Sequence, residues 1–388
     1  MRYYVEPTGT GTSTNHWSLG LTGDLVTTVA AILAAPSRGG DEIWAKQGQY
    51  NLANPLSIVG NTEPLSIYGN FAGTELTLCD RNANIDSLQY PTFFQQPSIL
   101  DGGGGNTVIQ MYQASVCRID GFVIRNGNAG AWITSSLDGG GAYVYSSSNI
   151  WFENIVFMDN QAGDNGGGVY ASAVRSLMVK NSIFFNNVAN SANEGGGGIN
   201  VMNCGVNTLL INLLFNKNQA ANGNGDAIYL NNNSDSVKII NNTIADNTTS
   251  GSSVYCKSNQ QNVEIYNSIL YPDILDNDPV SPSNIMVDYC FLNQTNFPSV
   301  NNIYPTPARP VDPYFVNQAS LAAGGDYHLQ INPPYPNTSL CIDSGRIGYF
   351  FPFSNTDLEG NPRFVDRGIN PPPLPLFRMI DRGAFEVQ

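Results

Sequence analysis

Four carboxylates and five tyrosines are the side chains whose types and spacing in this sequence are suited to chemistry. Asp138, Asp164, Glu194 and Asp226 each stand three to six residues before the centre of a recurring apolar triplet, within a glycine-rich turn. Carboxylates repeated at a fixed structural interval repel one another unless they splay into water or share a cation, and hard oxygen ligands of this kind suit calcium. The row is therefore either a solvated acidic edge or a calcium site bridging neighbouring turns. Tyr143, Tyr170, Tyr229 and Tyr255 occupy triplet centres, with Tyr145 beside the first and Asn200 interrupting the series. A flat row of phenol rings is a platform for sugar rings or an aromatic ladder that stabilises a sheet.

The elements that must position these residues are repeats. Between residues 139 and 270 one phrase recurs five times: a glycine-containing turn, a triplet with apolar flanks, then a strand around an asparagine. Triplet centres follow one another at intervals of 27, 30, 29 and 26 residues, and Asn154, Asn181, Asn212, Asn241 and Asn267 at 27, 31, 29 and 26. Units of this length hold about three short strands and three turns. Their Gly, Asn, Ser and β-branched content disfavours helix, so the units predict a parallel β-helix with coils roughly 4.8 Å apart.

Strand alternation assigns the faces. The triplet flanks, from Ala142 and Val144 to Val254 and Cys256, fill the bore and the tyrosines face out. Phe157, Phe184, Phe215, Ile244 and Leu270, three residues after each strand asparagine, form a second inward column. Stacked asparagines tolerate a left-handed backbone and bond amide to amide, which makes that column a structural ladder in preference to a ligand site.

The predicted architecture is all-β: one elongated domain over 1–388, with a cap and first coil at 1–60, regular coils at 61–297, and terminal coils with a loop-rich cap at 298–388. Leu25–Ala35 is too short and too interrupted by Thr27 and Thr28 to span a membrane; it predicts a short amphipathic helix closing the first coil. Prolines gather in 298–313 and 371–375, which predicts loops wrapped on the last coils. A formal charge of −14 disfavours nucleic acid and anionic membrane as partners and permits cation binding. Cys79, Cys117, Cys204, Cys256, Cys290 and Cys341 include no CxxC pair, so they predict mainly buried single thiols. No secretory signal is present in the sequence, which leaves an expectation that any export signal was removed.

Outside the regular phrases, Ser66–Glu75, Ser98–Gly103, Ile119–Gly127 and Gly40–Tyr50 resemble the opening coils of secreted right-handed β-helix proteins of Bacteroidetes and related bacteria. Asp312–Val316, Asp326–Gln330, Cys341–Gly345, Asp357–Arg363 and Ile380–Glu386 look like the closing block of the same family. Arg382 and Phe385 depart from its pattern, which usually carries Ile and Tyr there. The resemblance covers nearly the whole chain and is similar to the repeats of polymorphic outer-membrane proteins. It implies the pectin-lyase-like fold, right-handed coils and an extracellular or cell-surface location, and leaves the activity open.

That fold resembles the scaffold of pectate lyases and polygalacturonases, so catalysis has to be weighed. Hydrolysis of that kind needs converging carboxylates with a histidine nearby, but His16 and His328 both lie outside the repeats and no Asp-Asp or Gly-His-Gly phrase occurs. Elimination needs a cation or arginine plus a base. The coil residues Arg118, Arg125, Arg175, Lys180, Lys217, Lys238 and Lys257 share no column, and Lys180 stands one coil from Glu153, which predicts an ion pair. The sequence therefore points to a non-catalytic protein binding a polysaccharide or surface glycan along its side. The alternatives are a calcium-assisted polysaccharide lyase or related hydrolase, and a spacer or filament subunit associating with its own copies through ends or sides.

Overall fold

In the computed structural model, the described residues are 1–19, 22–35, 40–131, 137–247, 252–259, 262–299, 301–304, 312–331, 339–346, 355–363 and 379–387. Among them every inter-coil strand pairing is parallel. A long sheet climbs from Arg2–Val5 through Asp41–Lys46, Leu65–Phe71, Ser115–Arg125, Ser148–Met158, Leu177–Phe185 and Thr208–Asn216 to Ile285–Asp288. A second sheet stacks Leu56–Val59, Ile109–Tyr112, Ala142–Tyr145, Val169–Ser172, Ile199–Met202, Ile228–Asn231, Val254–Lys257 and Leu275–Asn277. Gln161–Ala162, Val188–Ala189 and Gln219–Ala220 form a short third sheet.

The long sheet bends where the chain requires a left-handed residue. Asn154, Asn181, Asn212, Asn241 and Asn267 all have φ between 49° and 55°, a region asparagine enters more readily than most residues because its short side chain bonds locally. Those amides stack as expected: Asn212 Nδ2 donates to Asn181 Oδ1 at 2.9 Å, and Asn154 Nδ2 to Asp120 Oδ1 at 2.9 Å. A second ladder, not anticipated, lies inside the coil six residues further on. Asn160 donates to Asn187, Asn187 to Asn218, Asn218 to Asn247 and Asn247 to Asp273, at 2.9 to 3.1 Å. These buried amides also donate to backbone carbonyls such as Phe157 O, so the members of this ladder are satisfied along the coil axis.

The bore is filled by the two predicted apolar columns. The rings of Phe157, Phe184 and Phe215 stack at 5.0 and 4.7 Å between centroids, and with Ile244, Leu270 and the triplet flanks they belong to one core. The predicted closing helix is Leu25–Ala34; Asp24 caps it by accepting from Thr27 N at 2.8 Å, and Leu25 and Val29 are buried in the first coil's core. At the other end Phe297 and Tyr304 pack on the bore, with the Tyr304 hydroxyl donating to Phe297 O. Cys117, Cys204, Cys256, Cys290 and Cys341 are buried single thiols, and Cys79 is exposed.

Beyond the asparagine bend, the outward residues Val123, Val156, Met158, Ile183, Phe185, Leu214 and Ile269 are buried in a second core. Ile85, Phe93 and Phe94 cover them from the early excursion, while Phe315, Leu321, Tyr327, Leu329, Leu358 and Phe385 do so from the closing block. That block bonds to the last coils, where Arg382 donates to Cys290 O and Asn301 O, and also runs along the flank. Glu359 reaches Ser87, Arg363 reaches Asn212, and Ala384 N donates to Thr243 Oγ1. The proline stretch 371–375 and residues 305–311 lie outside the described residues.

Candidate ligand-binding face

With one limb of the long sheet covered, the outer face of the second sheet is where the predicted tyrosines come together. Its parallel register places Gln110, Tyr143, Tyr170, Asn200, Tyr229, Tyr255 and Asp276 in one row. Two residues on, Tyr112, Tyr145, Ser172, Met202, Asn231 and Lys257 form a parallel row. Both rows point out of the bore because alternate residues enter it.

Outward orientation does not make all of these rings accessible. Tyr145 and Tyr112 are each 37% exposed and Tyr143 and Tyr255 are half-buried, but Tyr170 is 8% and Tyr229 0% exposed. The expected open stripe is therefore corrected to two short patches separated by a covered middle. In the first patch Tyr112 stacks on Tyr145 at 5.7 Å, Tyr145 lies against Tyr143 at 6.2 Å, and Tyr143 stacks on Tyr170 at 5.7 Å. In the second, Tyr229 and Tyr255 stack at 5.6 Å. Asn200, buried between them, donates to Gly195 O at 3.0 Å. Tyr112 was not singled out from the sequence, although Ile109-Gln110-Met111-Tyr112 shares the alternation of the later triplets.

Asp138 and Glu194 act on these rings, and Asp164 acts on Glu194. Asp138 Oδ1 accepts from Asn165 N and Nδ2 at 3.0 and 3.1 Å, and Asn165 Oδ1 accepts from Gly195 N at 3.1 Å, which links three successive turns. Burial pushes the Glu194 carboxyl above its ordinary range; Lys257 and an Asn231 amide oppose the shift, while Asp164 and Asp138 add to it. Burial, with the nearby Asp138 and Glu194 charges, also pushes the Tyr170 phenol up.

Asp226 departs from this row. Its side chain is buried, Oδ1 accepts from Ala220 N at 2.7 Å, and burial followed by the charge of Asp273 raises its carboxyl to about 7. Asp226 thus stands apart from Asp138, Asp164 and Glu194. Among the described residues no group of three or more His, Cys, Asp or Glu side chains is placed to hold a metal ion.

Several of the coil cations are paired away from this face. On the first limb of the long sheet, Arg118 lies 2.8 Å from Asp120 and 2.7 Å from Glu153, and Lys180 pairs with Glu153 at 3.1 Å as its spacing implied. Both histidines serve in packing. His16 contacts Glu75 O and the rings of Tyr4 and Trp17, and His328 sits between Asp326 and Glu359 in the closing block.

Comparison with known proteins adds the family of coils. No curated protein matches the chain. A solved structure, that of pectate lyase Pel9A, is 15% identical, with a TM-score of 0.44 over 100% of this chain and 96% of that one. The family model for the right handed beta helix region matches residues 98–270. With parallel sheets continuing on both sides of that segment, the chain is a right-handed parallel β-helix.

Proposed function

We propose that the protein binds a polysaccharide or other surface glycan along the outer face of its second sheet, outside the cell or at a cell surface, without cleaving it. The observation that supports this reading is the Tyr112–Tyr145–Tyr143 stack. Its exposed rings offer apolar faces to sugar, and Asn231 and Lys257 supply hydrogen-bonding groups further along the same row. Retention in gels cast with neutral and charged polysaccharides tests it. A Tyr112→Ala/Tyr145→Ala variant is expected to lose retention while melting within a few degrees of the parent protein. Retention unchanged in that variant would overturn the reading.

A calcium-assisted lyase or a hydrolase is the second reading, favoured by one observation: the half-buried, raised carboxyl of Glu194 beside Asp138, Asp164 and Lys257. Burial that favours the protonated carboxyl suits it to a proton donor's role. Polymer size after incubation with and without calcium separates the two, since shortening abolished by Glu194→Gln means catalysis. A spacer joined end to end has less support, because the helix Leu25–Ala34 and the Phe297–Tyr304 loop close the bore at its ends.

A further inference from the structure

Resting on the tyrosine face as the place of glycan contact, we propose that its ligand carries free amino groups, so that the face selects a cationic amino-sugar polymer over neutral and acidic ones. The charges around the rings argue for this. Asp138, Asp164 and Glu194 line the edge at which the chain enters the sheet, and Asp276 and Asp278 flank Tyr255, against Lys257 as the cation among them. A uronate chain laid along the tyrosines would add negative charge beside carboxylates that already crowd one another. An ammonium-bearing chain would relieve that crowding and bring N–H donors to the carboxylates.

A second observation comes from beneath the same edge. The Tyr229 hydroxyl and Asn200 Oδ1, in adjacent register positions, are both buried with no hydrogen-bond partner among the described residues, and the charge of Glu194 bears on Tyr229. Buried polar atoms of this kind are normally satisfied. One donor and one acceptor left open beside a carboxylate mark a place where a small polar group, such as the amine or hydroxyl of a sugar, completes the bonding.

The inference is tested with three oligosaccharide series of matched length: fully deacetylated chitosan, its N-acetylated counterpart, and oligogalacturonate. Binding is measured by calorimetry at low and high salt, with and without calcium. The deacetylated series is expected to bind roughly tenfold or more tightly than the N-acetylated one at low salt, an advantage that shrinks as salt screens the carboxylates. Asp138→Asn/Glu194→Gln should bring the affinity for the deacetylated series down to that for the N-acetylated one, with the β-sheet circular-dichroism spectrum unchanged. The charge-matched control Glu63→Gln/Asp235→Asn, on turns at the opposite edge of that sheet, should preserve it.

Equal binding of the two chitosan forms, or an advantage removed equally by the control, overturns the amine selectivity and leaves the tyrosine platform standing. Preference for oligogalacturonate, with calcium or without it, also overturns the selectivity. Failure of all three series to bind removes the platform itself. If the double variant does not fold, the salt dependence of the unaltered protein decides between the first two outcomes.

Discussion

Asp226 is a buried carboxylate whose Oδ2 has no partner among the described residues, and its environment makes ionisation unfavourable. Its carboxyl, raised from 3.8 to about 7, keeps its proton in the folded protein over a range where the unfolded chain has lost it. Its stabilising contribution is therefore complete below about pH 4, declines as pH rises toward 7, and is absent above that. Asp226→Asn, which retains an acceptor for Ala220 N, is expected to raise the melting temperature at pH 8 and to change it much less at pH 4. Equal shifts at both pH values would contradict this. Single positions also show where sequence reading stopped. Alternation correctly turned Tyr170 and Tyr229 out of the bore, but exposure depends on what neighbouring turns lay across a ring, and alternation carries no information about that. Asp226 sits in the same kind of turn as Asp138, yet it is drawn inward to accept from the backbone N–H of Ala220, six residues earlier, a contact that its spacing from the triplet does not record.

At the scale of elements, the phrases were legible because a ladder demands a like residue at each level: asparagine at the bend, a large apolar residue three residues later, small residues in the turn. The inner ladder of Asn160, Asn187, Asn218 and Asn247 was present in the same phrases. It could not be told from ordinary turn asparagines without knowing which side of the backbone faces the core. The closing block was harder to place, since its contacts with the coils are set by shape and not by period. One of its ties is titratable. His328 Nδ1 lies 2.6 Å from Asp326 Oδ1 and Nε2 lies 3.1 Å from Glu359 Oε2, while Glu359 Oε1 accepts from Ser87 N and Oγ. Burial alone would lower the imidazole, but the two carboxylates outweigh it and hold His328 at about 10. A base raised on folding stabilises fully below its unfolded value near 6.5, and that contribution disappears as pH rises through about 10. Asp326 and Glu359, both lowered, contribute above the ordinary carboxylate range and lose that contribution in acid. Melting temperature should therefore fall between pH 7 and 10, and His328→Gln should flatten that slope; an unchanged slope would remove the tie from the account.

For the molecule as a whole, the two cores have different dependence on the chain. The bore is built coil by coil from local neighbours, whereas the flank core needs the early excursion and the closing block together. A chain ending after residue 304 retains the bore and uncovers Val156, Ile183, Phe185 and Leu214. It is expected to bind a hydrophobic dye strongly and to aggregate at concentrations where the full chain stays dispersed, while keeping a β-sheet circular-dichroism spectrum. Loss of the β signal would mean instead that the bore depends on the closing block. The same charge balance that bears on ligand choice, −14 over the full chain, favours dispersal of the intact protein.

The flank arrangement also sets a timetable for synthesis. Ser87 and Glu359 are separated by 272 residues of chain, and Asn212 and Arg363 by 151. At about 5–20 residues per second on a ribosome, the partner of Ser87 emerges roughly 15 to 55 seconds after Ser87 itself. Coils can form in that interval as they are made, because each needs only the one before it. Their apolar strip then waits in the open for its cover, and the nascent protein passes through a stage in which it is well ordered yet adhesive. Anything that slows translation between the last regular coil and the closing block lengthens that stage, so yield of this protein is governed by the schedule of its final residues as well as by the stability of its coils.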